Sequence, residues 1–156
     1  MNSLRVRLLE DVNDPGFISE LPAGAAGFCT GFNQIFGAAL IGRLDPFVNV
    51  HPSLLPYYRG PVPAYWCLQN GETQTGFTFH RITPRIDAGE ILYQEIVPIF
   101  RADTAGELDV RIAEAGAAIF YSLLTAMASD REWPARTGID AARVYAVRAG
   151  YRSFAG

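Results

Sequence analysis

Residues 46–60 read PFVNVHPSLLPYYRG, and the change of pattern inside this stretch decides the fold. Pro46–Val50 is rich in β-branched and aromatic residues and predicts a strand. From His51 onward, Pro52, Pro56, Gly60 and Pro61 forbid regular structure, while Leu54, Leu55, Tyr57 and Tyr58 give the loop apolar bulk. A loop this apolar covers something. Asn49 and His51 stand two apart at the strand's carboxyl end, so the pleat turns both to one face. In sheets with parallel strands, that end is where reactive groups gather.

The pattern extends in both directions. Upstream, Leu4–Leu9 alternates apolar residues with Arg and predicts a short strand, broken by Asp14-Pro15-Gly16 into a turn or one helical turn. Gly24–Phe32 is small, apolar and uncharged, as expected of a strand buried on both faces, and Asn33–Leu44 predicts a short helix ending near Gly42. Downstream, Pro61 opens a helix through Asn70, with Gly71 as its left-handed cap. Thr75–Ile82 sets Phe77 and Phe79 against Thr78 and His80, the alternation of a half-buried strand. Thr83–Gly89 is a polar loop containing Asp87, and Ile91–Ile99 is a further strand. Thr104 and Glu107 form a capping box for the longest helix, roughly 105–129, with Leu108, Ile112, Ile119, Leu123 and Met127 at helical spacing. One more strand is expected at Arg143–Val147. Strands interleaved with helices, without repeat or linker, predict one α/β domain over 1–156, a partly parallel sheet flanked by helices.

Composition excludes several chemistries. All 13 basic residues are Arg, so a Walker-type phosphate lysine, a Schiff base and a pyridoxal-phosphate anchor are absent from this sequence. Cys29, His51, Cys67 and His80 show no metal-ligand spacing, and no metal is expected. Net charge is −3, with acids and Arg balanced in both halves, which argues against a nucleic-acid partner. No apolar run approaches a membrane span, and Met1–Asp14 carries charges where a secretory leader is apolar. Two separated cysteines suit a reducing compartment, so a cytoplasmic, soluble protein is expected.

Taken alone, Asn49, His51 and Asp87 fit either a catalytic group or a polar loop that satisfies backbone groups. His80, opposite the phenylalanines, reads as a structural histidine. Cys29 and Cys67 read as inert core thiols. Tyr57, Tyr58 and Arg59 either contact a substrate or cap the loop's apolar side. Asp103, Asp109 and Glu114 read as a solvated helix face. Arg143, Arg148 and Arg152 form a mild basic cluster among acids, the pattern of a plain surface.

Three motifs add a resemblance. VNVHPSLLPYYRG at 48–60, NGETQTGFTFHRI at 70–82 and IDAGEIL at 86–92 together resemble the folate-dependent formyltransferase family, and GFNQIF at 31–36 resembles the strand end that precedes them. The resemblance implies a shortened formyltransferase fold of Rossmann-like type, because only 30 residues precede Gly31 where the family carries further βα units and a glycine loop. It implies formyl-tetrahydrofolate as one-carbon donor and Asn49, His51 and Asp87 as the catalytic trio. It also implies that Leu54 and Leu55, with Ile82, Thr83, Pro84, Arg85 and Ile86, wall the cofactor pocket. An attacking amine creates an oxyanion and an excess proton: Asn49 suits the first as an amide donor, His51 the second, and Asp87 orients the imidazole. Without the glycine loop or a basic surface, a small-molecule amine is the expected acceptor rather than a ribonucleotide or tRNA. The alternatives are a formyl-folate hydrolase, another acyl-transfer or lyase reaction in the same pocket, and a non-catalytic folate-binding subunit. A shortened sheet leaves the Ala25–Phe32 strand near an edge, so a homodimer or a second chain is expected to cover it.

Overall fold

The computed structural model of the protein describes residues 6–128. The expected Arg143–Val147 strand and the Arg143, Arg148 and Arg152 cluster lie outside these residues. Residues 6–9 adopt no regular structure, against the strand expected there, since a strand persists only when a neighbour completes its hydrogen bonds. Asp14 then starts helix α1 (Pro15–Glu20) by accepting the Phe17 N–H at 2.7 Å, with Pro15 in the first turn where a missing N–H costs nothing.

Strand β1 (Ala25–Thr30) leads through helix α2 (Ala38–Arg43) into β2 (Leu44–His51), and the two strands pair in parallel. The apolar loop and helix α3 (Pro63–Gln69) follow. Gly71, at φ +67°, ends α3 in the left-handed conformation that returns Gly71 N–H to Leu68 and Glu72 N–H to Cys67. Strand β3 (Gln74–Arg81) runs antiparallel to β2, and β4 (Ile91–Pro98) antiparallel to β3. The sheet order is therefore β1-β2-β3-β4, partly parallel as the element order implied.

Two strands differ in burial from their patterns. β1 is only half-buried, because it occupies an edge of the described sheet rather than its centre. β3, expected half-buried, is covered on both faces because it lies between β2 and β4 with the apolar loop against it. Helix α4 (Ala105–Ala128) begins with the expected capping box: Thr104 N–H donates to Glu107 Oε2 at 2.8 Å and Glu107 N–H to Thr104 Oγ1 at 3.3 Å. Leu108, Ile112 and Leu123 of α4 meet Val48, Phe77, Phe79 and Tyr93 of the sheet to form the main core. Asp103 is not a free surface acid, since Arg111 grips both of its oxygens at 2.6 and 2.7 Å and holds its carboxyl down at about 2. Among the described residues no helix is long and apolar enough to cross a membrane.

Candidate active site

The strand pairing builds one polar row on the sheet face opposite α4. Cys29 of β1 pairs with Asn49 of β2, and Asn49 pairs with His80 of β3. His51 follows two residues after Asn49 and therefore joins the same face. The loop after β3 folds back so that Asp87 meets this row. Its Oδ2 lies 3.5 Å from His51 Nδ1 and its Oδ1 lies 3.6 Å from His80 Nε2. Asp87 occupies the left-handed region at φ +47°, which a short polar side chain tolerates better than most. The Gly60 N–H donates to Asp87 Oδ2 at 2.8 Å and pins the carboxylate.

Hydrogen-bond chemistry assigns the protons. His51 Nε2 is 2.8 Å from the Tyr58 carbonyl oxygen, which only accepts, so Nε2 carries the hydrogen and Nδ1 holds the lone pair facing Asp87. His80 is the opposite tautomer: its Nδ1 donates to the Arg81 carbonyl at 3.0 Å, leaving Nε2 to accept from the Asn49 amide at 3.1 Å. This bond fixes which way the Asn49 amide points. One N–H of Asn49 is thus used on His80. Burial pushes both imidazoles below their ordinary value, against the upward pull of Asp87 and of each ring's carbonyl partner, and the Arg59 charge adds to the lowering. Both rings are thus neutral near pH 7.

These groups open into a cavity of about 530 Å³, within the range of small-molecule sites. Asn49, His51, His80 and Asp87 form its polar wall. Phe32, Ile35, Phe36, Val62 and Ile86 supply apolar surface, and Ile82, Thr83, Pro84 and Arg85 complete the loop side. Of the expected cofactor-pocket residues, Ile82, Thr83, Pro84, Arg85 and Ile86 therefore line the cavity. Leu54 and Leu55 do not. Leu54 is buried against Tyr58 and Cys67, and the Leu55 backbone is held by Thr78 and Gln94, because the apolar loop packs inward onto β3 and β4.

Several residues at the site escaped the sequence reading. His80, which strand alternation alone marks as structural, lines the cavity and orients Asn49. Its phase opposite to Phe77 and Phe79 was the available signal, and what was missing was the register that sets it beside Asn49. Gly89 is a second case: a Cβ there would lie 1.8 Å from the Arg81 carbonyl oxygen, so the return of the Asp87 loop requires glycine. Cys29 lies on the cavity wall rather than in the core, but burial, helped by the Asp87 charge, pushes its thiol up to about 11 and keeps it protonated. Cys67 is fully buried and pushed up to about 12 by the same cause. Tyr58 is buried under the loop, away from the cavity. Among the described residues no group of three His, Cys, Asp or Glu is arranged to hold a metal ion.

The same segment carries the similarity to known proteins. The chain is 44% identical over 84 residues to methionyl-tRNA formyltransferase from Moorella thermoacetica, covering 54% of this chain and 27% of that protein. The crystal structure of phosphoribosylglycinamide formyltransferase from Anaplasma phagocytophilum superposes with a TM-score of 0.62 at 29% identity, covering 67% of this chain and 51% of that one. The N-formyltransferase from Helicobacter canadensis, in complex with folinic acid and dTDP-3-aminofucose, gives 0.62 at 30%, covering 66% and 38%. The chain thus spans about a quarter of the length of the first relative and about half or less of these two structures. The sequence profile described as formyl transferase matches residues 14–124, which contain all four strands and the whole polar row. With most of the chain inside that match, the protein belongs to the formyl transferase family.

Proposed function

We propose that this chain transfers a formyl group from formyl-tetrahydrofolate to the amine of a small-molecule acceptor. The observation that carries the reading is the convergence of an oriented Asn49 amide, a His51 lone pair and the Asp87 carboxylate on one cavity wall. The cavity suits a folate in size and character, since both apolar residues and the polar row line it. Ile82, Thr83, Pro84, Arg85 and Ile86 would hold it. Bound there, it supplies an activated formyl carbon. The free N–H of Asn49 stabilises the negative charge that develops on the formyl oxygen, an effect of about 3 kcal/mol for one such donor. His51 takes the proton shed by the acceptor amine at Nδ1 through a water relay beside the His51–Asp87 pair, and returns it by the same route to the departing nitrogen. Asp87 stabilises the imidazolium in between, since a protonated Nδ1 becomes a donor facing Oδ2.

The net charge of −3 favours a small acceptor over tRNA. Two free thiols are in keeping with a reducing compartment such as the cytoplasm. β1 has a partner on one side only among the described residues, which favours a second copy of the chain along its outer edge. Sedimentation at micromolar concentration should give a dimer, and a monodisperse monomer removes that part of the proposal.

Product analysis tests the reaction. Protein incubated with formyl-tetrahydrofolate and dTDP-3-aminofucose, or another amino-sugar nucleotide, should yield tetrahydrofolate and an amine-dependent formamide. Formate released without amine would make water the acceptor. No turnover together with no calorimetric binding of the folate would overturn the proposal.

A further inference from the structure

The Tyr58-Arg59-Gly60 turn touches both members of the His51–Asp87 pair through its backbone. The Tyr58 carbonyl receives His51 Nε2–H, and two residues later Gly60 N–H holds Asp87. Tyr58 itself sits at φ +56°, a left-handed conformation that an aromatic residue adopts only when its surroundings impose it. The surroundings are visible. The phenol donates to Glu72 Oε1 at 2.5 Å and accepts from Asn70 Nδ2 at 3.3 Å. Asn70 caps α3, and Glu72 N–H is bonded to the Cys67 carbonyl of the same helix end, so the phenol is tied to a fixed point rather than to a loose loop. Ser53 braces the turn from below, donating to the Tyr57 carbonyl at 2.8 Å. None of Tyr58, Asn70 and Glu72 lines the cavity, so none touches a ligand there.

We propose that Tyr58, clamped through its phenol by Glu72 and Asn70, is a positioning residue that fixes His51 as the Nε2–H tautomer and thereby makes Nδ1 the proton-accepting atom. The geometry follows from the clamp: with the phenol held, the main chain at Tyr58 stays left-handed and its carbonyl stays aimed at Nε2. Without it, the turn relaxes, Nε2–H loses its fixed acceptor, and the ring samples both tautomers and a wider range of angles. The catalytic consequence rests on the formyl-transfer reading, whereas the tautomer itself does not.

The test uses the full chain labelled with 15N at histidine. In the unmodified protein above the His51 pKa, His51 should show a protonated Nε2 with a slowly exchanging hydrogen and an unprotonated Nδ1. Tyr58→Phe removes only the phenol oxygen. It should release the slow hydrogen, move both ring nitrogens towards averaged positions, and lower kcat by about 10- to 100-fold with KM for formyl-tetrahydrofolate within about two-fold. Glu72→Gln still accepts from the phenol and should restore the nitrogen pattern, while Glu72→Ala should reproduce the Tyr58→Phe pattern. A folded Tyr58→Phe protein with the original His51 nitrogen pattern overturns the proposal. Should Tyr58→Phe fail to fold, the same comparison between Glu72→Ala and Glu72→Gln decides it. Should the protein transfer no formyl group, the nitrogen spectra decide it without the kinetic measurement.

Discussion

The two faces of β2 and β3 carry different work on alternate residues of the same strands. Val48, Val50, Phe77 and Phe79 face α4 and the aromatic cluster, where Phe79 meets Phe28, Phe77 and Tyr93 with ring centroids 5.7–6.3 Å apart. Asn49, His51 and His80 face the cavity, where their hydrogen bonds fix the ring protons and the amide direction. One face supplies non-directional burial, and the other supplies directional bonds whose stabilising effect is offset by desolvation of the groups that make them. The period of two in a strand makes this division possible, because neighbouring residues share a backbone but not an environment. Substitutions on the two faces should therefore separate activity from stability.

The largest effects should come from the cavity face. His51→Ala should lower kcat by about 10² to 10⁴, and Asn49→Ala by about 10² to 10³, with thermal unfolding close to that of the unmodified protein. A steady-state assay beside a melting curve checks this, and a large loss of melting temperature in either variant breaks the comparison. On the other face, Phe79→Ala should cost about 3–5 kcal/mol in urea unfolding while the folded fraction keeps its turnover, since Phe79 is 1% exposed and reaches no cavity atom. Gly89→Ala should cross the boundary. The new Cβ displaces the Arg81 carbonyl that accepts from His80, so a stability loss of about 1–3 kcal/mol should come with a lower kcat.

The pH dependence sharpens the same contrast. His51 and His80 are both lowered in the folded protein, chiefly by burial, from an ordinary value of 6.5. Below 6.5 the unfolded chain binds protons that the folded sites refuse. Stability is thus fully present above 6.5 and falls as the pH drops towards the folded values, and urea midpoints at successive pH values should show it. His80→Asn should flatten part of that slope, and an unchanged slope would mean that His80 does not titrate below its ordinary value. The smallest effect is expected at the cavity rim. Val62 holds φ +50° although it is β-branched and 60% exposed, so Val62→Asn should relieve strain of up to about 1 kcal/mol and raise Tm by a few degrees.

The local geometry around the candidate site was legible in the chain. Two-residue spacing put Asn49 and His51 on one face, the proline-rich run ended the strand there, and the capping box placed the start of α4. Other expectations failed for reasons that are not local. The alternation at 4–9 met no pairing partner in the described part of that stretch. The small apolar run at 24–32 became a half-exposed edge because nothing lies beyond it among the described strands. Leu54 and Leu55 turned into the core, since apolar residues in a loop give no direction by themselves.

The sequence by itself determined which atoms are present at the carboxyl end of β2 and which residues share a face, because periodicity and proline act within a few residues. Tertiary structure alone decided which protons those atoms carry. The antiparallel register that sets His80 beside Asn49, the Tyr58 carbonyl that claims His51 Nε2 and the close pass of Gly89 over Arg81 all join segments distant in sequence. Hydrogen bonds are directional and short-ranged, so they exist only once packing has brought their partners within about 3 Å.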